Sequence, residues 1–268
     1  MFTTILVQPL ANGLILFYNL LGSNLGLAIT VFSIFLITIM RPLTRPYMES
    51  MKKIKEVAPQ LEKLKKKHGK DKMKMAQAQA ELYKQHKINP GAGCLPYLLQ
   101  IVILIAFFNL FTRTLTKGGD ITANFNDLLY PALKFAEGYT VNTNFLWLDL
   151  SKPDVFHIPG LPFAIPGVLL IASAAAQFFS AKAMSSMNQV AVTQAEKTKG
   201  ETDDIAASMQ KSMIYTFPLI SLIVGLNFPS GLALYWLTFS LLQVYQQKNG
   251  NSLVPSFLQK EKMIESGK

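Results

Sequence analysis

Apolar runs and polar stretches alternate along this chain, and the sharpest contrast falls at 25–44, LGLAITVFSIFLITIMRPLT. A continuous apolar helical pattern stops there at Arg41-Pro42, and the Lys-rich, hydrophilic segment 45–90 follows. Further apolar runs occupy 94–112, 159–181, 211–227 and 229–247. Several of these approach the ~20 residues that cross a ~30 Å hydrocarbon layer. The pattern predicts five transmembrane helices, joined by a loop at 113–158 and a polar loop at 182–210, with a tail at 248–268. Residues 1–24 are apolar and aromatic but are broken by Pro9, Gly13 and the Gly22-Ser23-Asn24 turn. They predict an interfacial helix on the outer surface. The competing reading is that they lengthen the first span. An all-α polytopic membrane fold follows, because hydrocarbon leaves no partner for open sheet edges and the alternation of a β-barrel is absent.

The hydrophilic segment has its own periodicity. Tyr47, Met51, Ile54, Ala58, Leu61 and Leu64 recur at three- and four-residue spacing, as do Met73, Ala76, Ala80 and Tyr83, with Gly69 between the two sets. Narrow apolar stripes opposite Lys-rich faces predict a two-helix antiparallel coiled coil. Pro42 and Pro46 are expected to disturb the helix at its start, and Pro59 to kink the first arm. Asn89-Pro90-Gly91 then breaks the hairpin and returns the chain to the membrane. The plainer alternative is a solvated hairpin that only connects two spans.

Composition fits this picture. Half of the 268 residues are hydrophobic and 16% are charged, against about 25% in soluble domains. The mean hydropathy is +0.26. Charge distribution adds orientation. Residues 41–94 hold 14 of the 26 Lys and Arg against 5 acids, a local +9 within a net +10. Such a block marks the cytoplasmic side. The loop 113–158 has four basic and five acidic residues, and the tail four Lys against two Glu. The N-terminus is therefore expected outside and the C-terminus inside. The basic hairpin, with Lys52, Lys53, Lys65, Lys66, Lys67 and Lys70, suits anionic lipid headgroups, acidic partners or ribosomal RNA. Trp147 in Phe145-Leu-Trp-Leu-Asp-Leu is expected at the headgroup level, where indoles prefer to sit. Cys94 is the only cysteine, so no internal disulfide is expected. The opening MFTTILVQPLANG lacks a basic region, and no cleaved targeting segment is expected.

Catalytic chemistry finds no footing in the sequence. His68 and His86 lie in the hairpin and His157 in the loop, so they form no intramembrane metal site. No Asp or Glu lies in any span, which argues against a pump built on membrane carboxylates. Phosphate loops, nucleophile elbows and zinc motifs are absent. Neither enzymatic activity, a cofactor nor dedicated DNA binding is expected. The spans instead carry neutral polar residues: Thr30, Ser33, Thr38, Gln100, Asn109, Ser173, Gln177, Ser180, Ser221, Asn227, Thr238, Ser240 and Gln243. They serve either interhelical hydrogen bonding or an amphiphilic groove for a partly inserted polypeptide. A charge at the bilayer centre costs ~2.5–3.5 kcal/mol, which a hydrated half-channel would lower without ATP.

Several motifs recur in order and carry a resemblance. They are Pro42-Leu43-Thr44 before the Lys-rich hairpin, KINPGAGCLP from Lys87 followed by Gln100, FLWLDLS from Phe145, Phe217-Pro218, and FPSGLALYW from Phe228. Over about 8–247 the chain resembles the YidC membrane protein insertases, a family that includes the mitochondrial oxidase-assembly and chloroplast Albino insertases. Its short N-terminal region is unlike the forms with a large periplasmic β-domain. The resemblance implies a five-helix core whose hydrophilic groove opens to cytoplasm and lipid. It also implies a hairpin that receives nascent membrane proteins, and contacts of hairpin and tail with the ribosome, the signal-recognition receptor and the Sec translocon. The groove would be lined by Thr30, Ser33, Ile37, Arg41, Gln100, Gln177, Tyr235 and Trp236. Family members keep an arginine about five residues before the Pro-Leu motif. Here that position is Ile37, and the nearest cation, Arg41, lies one helical turn, ~6 Å, further along. Arg41 then reads either as a groove-mouth charge or as a positive-inside anchor. Two other classes compete with the insertase: a small transporter or channel, and an assembly factor that moves no polypeptide.

Overall fold

The computed structural model describes residues 1–68, 71–88, 95–160, 162–195 and 214–248. The expected hinge at Gly69, Lys70, the break at 89–94, most of the polar loop 182–210 and the tail from 249 lie outside the described residues.

The chain is predominantly helical. α1 (Gln8–Leu20) is entered through a π-helical turn, Thr3–Val7. Gly22 and Ser23 then turn the chain with φ of +70° and +57°. α2 (Leu25–Ile39) begins at Asn24, whose side chain accepts from the Leu27 N–H at 3.0 Å, a standard N-cap. α1 and α2 approach closely because Gly13 has no side chain: a Cβ there would lie 2.6 Å from the Phe32 ring.

Met40 separates α2 from α3 (Arg41–His68). Prolines account for the break and for its position. Pro42 inside a continued α2 would remove a hydrogen-bond donor and clash with the preceding turn, whereas in the first turn of a new helix no donor is needed. α3 continues through Pro46 and Pro59. α3 packs on α4 (Lys72–Gln85) through Val57, Leu61, Met75, Leu82 and Ile88. The inward stripe of α4 differs from the expected one. Met73 is 73% exposed, while Met75 and Leu82 are buried. Leu82 is the most hydrophobic residue on this helix, and turning it inward brings Met75, two turns earlier, to the same face. Asp71 caps α4 by accepting from the Lys74 N–H at 3.1 Å. That bond, then the Lys74 side chain, holds the Asp71 carboxyl below its usual range.

α5 (Leu95–Phe111) continues into a π-helical turn, Thr112–Thr116. By length and hydropathy, Thr3–Leu20 and Leu99–Thr116 suffice to cross a membrane. Leu25–Ile39, Val168–Ala183 and Ile214–Gly225 are shorter apolar helices. The segment 113–158 caps one end of the bundle. It contains α6 (Ile121–Asn126), a 3₁₀ turn (Pro131–Leu133) and a hairpin of β1 (Asn144–Phe145) with β2 (Leu148–Asp149). A second hairpin pairs β3 (Val155–Phe156) with β4 (Ile165–Pro166). These two short ladders qualify the all-α expectation.

The run expected to be helical from 159 instead has a turn at 159–160, a bend at 162–163 and β4 at Ile165–Pro166, and α7 (Val168–Ala195) starts later. Pro159, Pro162 and Pro166 with Gly160 and Gly167 disfavour helix there, and Pro166 is tolerated in an edge strand. α7 also runs past the expected end at 181, because 182–195 is rich in Ala, Met and Gln and lacks Gly and Pro. Its start is capped from a distance: the Asp154 carboxylate accepts from the Leu170 N–H at 2.9 Å. Gly167 permits this approach, since a Cβ there would collide with Asp154 Oδ1. α8 (Ile214–Gly225) and α9 (Ser230–Lys248) complete the described chain.

Candidate functional site

Three links tie the cap to the helices. Asn12 on α1 donates to the Leu128 carbonyl at 3.1 Å and accepts from the Tyr130 N–H at 2.7 Å. Tyr18 accepts from the Asn142 N–H at 2.9 Å. At the start of α9, the Ser230 and Gly231 N–H groups donate to the carbonyls of Lys152 (2.8 Å) and Leu150 (3.1 Å). Asp149 holds this part of the cap together. It accepts from the Thr143 hydroxyl at 2.8 Å and the Ser151 hydroxyl at 2.6 Å, and pairs with Lys152 at 3.1 Å. Partial burial pushes its carboxyl up, but the bonds from Ser151, Thr143 and Lys152 outweigh this and bring it down to about 2.

Below the cap the polar residues divide into two seams. Between α5 and α9, Gln100 Nε2 donates to the Tyr235 hydroxyl at 3.3 Å. The Tyr235 ring stacks on Phe107 with centroids 4.2 Å apart and planes 21° apart. One end of Tyr235 is thus apolar and the other hydrogen-bonded, which suits a buried tyrosine. Between α7 and α9, the Ser180 hydroxyl donates to Gln243 Oε1 at 2.5 Å, and within α7 Gln177 Nε2 donates to Ser173 Oγ at 3.2 Å. Ser173, Gln177 and Ser180 form one face of α7, and Trp236, Ser240 and Gln243 follow the same four-then-three spacing on α9. All but Gln243 in these two sets are buried. Gln177 Oε1 and Trp236 Nε1 are buried and have no hydrogen-bond partner among the described residues.

The structure distributes the residues singled out by sequence unevenly. Gln100 and Tyr235 come into contact, while Gln177 and Trp236 are buried on the two helices of the second pair. Thr30 and Ser33 turn their hydroxyls back onto α2, donating to the carbonyls of Gly26 (2.9 Å) and Ile29 (2.5 Å). Such back-bonding satisfies the hydroxyl within its own helix. Ile37 is half-buried on α2. Arg41 opens α3 beyond the Met40 break; its side chain, like those of Lys52 and Lys65, lies outside the described part. Lys66 and Lys67 are exposed and Lys53 is half-buried. The Asn12 clasp and the Asp154 cap escaped sequence reasoning, because each joins residues far apart in the chain. The Ser180–Gln243 pair left a signal in the matching spacing of the two polar faces.

The family model described as 60Kd inner membrane protein matches residues 16–255. The chain belongs to this family. Among its relatives are proteins named membrane protein insertase YidC. The one from Fusobacterium nucleatum is 33% identical over 224 residues, covering 84% of both chains. That from Pelobacter propionicus is 33% identical over 254 residues, 94% of this chain and 39% of the relative. The Geobacter sulfurreducens protein is 30% identical over 243 residues, 90% of this chain and 36% of the relative. The chain thus spans most of the first relative and less than half of the other two. Membership in the YidC insertase family agrees with the bundle of apolar helices and with its neutral polar seams.

Proposed function

We propose that this chain is a membrane protein insertase and chaperone, moving nascent small membrane proteins into the bilayer without hydrolysing ATP itself, alone or with the Sec translocon. The observation that carries this reading is the family match across 16–255, which takes in α2 through α9. In this reading α2, α5, α7, α8 and α9 span the bacterial cytoplasmic membrane, with the N-terminus outside and the C-terminus inside. The charge asymmetry between the basic hairpin and the cap supports that orientation. α1 lies at the outer interface. Its clasp supports this, since a spanning α1 with Asn12 near its middle would draw the polar cap into hydrocarbon.

The substrate groove runs beside α2, α5 and α9, with Gln100 and Tyr235 on its wall and Ile37, Ser33 and Thr30 along α2. Arg41 stands at its cytoplasmic mouth. Gln177 and Trp236 belong to the supporting α7–α9 seam. The α3–α4 hairpin, through Lys52, Lys53, Lys65, Lys66, Lys67 and Lys70, receives the client and meets the ribosome, the signal-recognition receptor or anionic lipid. Reconstitution tests this directly. The purified chain in otherwise protein-free liposomes integrates a single-span client, and a photocrosslinker at Gln100 captures that client in transit. Integration no faster than in empty liposomes, with no adduct at Gln100, overturns the reading.

A further inference from the structure

We propose that the tip of the β1–β2 hairpin, Leu146-Trp147, is a lipid anchor seated in the headgroup layer at the cap end of the bundle. The base of this hairpin is fixed to the ends of two apolar helices. Phe145 packs so closely on Gly26, the second residue of α2, that a Cβ there would collide with its ring. Behind β2, the carbonyls of Leu150 and Lys152 hold the first N–H groups of α9. The base therefore stands where the apolar helices begin, at the edge of the hydrocarbon. Two residues project from it, and an extended chain gains at most ~3.6 Å per residue. The tip is thus confined to within ~7 Å of that edge, about the depth of the headgroup layer on one side of a bilayer.

The tip's composition points to lipid as its occupant. Leu146 is 75% exposed and Trp147 66% exposed, although the remainder of the hairpin is anchored. Leu146 also has φ +56°, at the first central position of a two-residue turn where glycine is free of strain. A bulky leucine there works against the backbone without packing on the protein. An aromatic-apolar pair at the interface recovers that cost only when lipid covers it. The next hairpin presents Phe156, Ile158 and Phe163 on the approach to α7, extending the same apolar rim. The anchor rests on the part of the proposed function in which α2 and α9 span a bilayer. It does not require that the chain inserts clients, which a liposome integration assay reads separately.

Trp147 and Trp236 are the two tryptophans of the chain. Trp236→Phe therefore isolates Trp147 as a reporter in the full chain, reconstituted into phosphatidylcholine vesicles carrying bromine on the acyl chain. The expected result is blue-shifted emission, quenched by shallow bromolipid and protected from aqueous iodide. Quenching by iodide alone, or by neither agent, places the tip in water or under protein and overturns the proposal. Should Trp236→Phe fail to fold, Cys94→Ser with Leu146→Cys carries a spin label that reports the depth of the same tip. The label is expected to be more accessible to oxygen than to a water-soluble nickel complex, and the reverse order overturns the proposal. Leu146→Gly separates anchoring from folding. It relieves the positive φ, so the melting temperature in detergent rises while bromolipid quenching of Trp147 falls. Unchanged quenching rejects the anchor.

Discussion

Gln100 on α5 and Tyr235 on α9, 135 residues apart in sequence, meet through a 3.3 Å hydrogen bond between amide and hydroxyl, and Phe107 stacks on the same tyrosine ring. Apolar packing and a polar contact thus converge on one side chain. Tyr235→Phe keeps the stack and removes the bond, which costs about 0.6 kcal/mol and at most ~1.7, the range for interhelical bonds in membranes. Tyr235→Ala removes both and costs ~3–5 kcal/mol, as for a deleted buried aromatic. Thermal unfolding in detergent micelles reads the two losses. Equal losses would show that the stack contributes nothing.

The Ser180–Gln243 bond joins α7 to α9 and is tested as a coupling. Single alanine variants and the double variant form a thermodynamic cycle. A coupling of roughly 0.6–1.7 kcal/mol is expected, whereas strict additivity would mean that the two side chains do not stabilise one another.

At the start of α7, Gly167→Ala forces the Asp154 carboxylate away from the Leu170 N–H, and Asp154→Ala removes the cap outright. Each is expected to cost ~1 kcal/mol, the usual value of an N-cap. The double variant should lose little more than either alone, because both changes abolish one interaction. Melting curves of the three variants decide this.

Acid stability depends on Asp149. Its carboxyl titrates at about 2 in the folded chain and near ~3.9 when unfolded. A depressed carboxyl contributes stability that is present above the unfolded value and is lost as pH falls from about 4 towards 2. Melting temperature measured across that window should fall in the native chain. It should fall less in Asp149→Asn, which starts lower at neutral pH and has no proton to gain there. Parallel curves for the two proteins would assign the acid sensitivity elsewhere.

Hydrophobic periodicity made much of the fold legible. The apolar runs around α2, α5, α7, α8 and α9 stand out because a helix surrounded by lipid or other apolar helices needs apolar residues on every face. The α3 stripe of Ile54, Ala58, Leu61 and Leu64 was equally plain, since one face had to be dry. Local signals were weaker where two phases compete. On α4 the small residues Ala76 and Ala80 mimicked a stripe, but the larger surface of Leu82 set the rotation. Proline and glycine in 159–167 outweighed apolar composition and delayed α7.

The sequence by itself determined the helical membrane class, the basic hairpin, the charge asymmetry and the ordered motifs that mark the family. These are properties of composition, period and local order, and they need no knowledge of neighbours. Tertiary structure alone decided which polar groups meet. Tyr235 turns to Gln100, Ser180 turns to Gln243, and Thr30 and Ser33 turn back on their own helix. The physical reason is that a buried hydroxyl or amide must find a partner, and its choice depends on what packing brings within about 3 Å. One-dimensional spacing can say that a residue faces inward, but only the packed helices say what it faces.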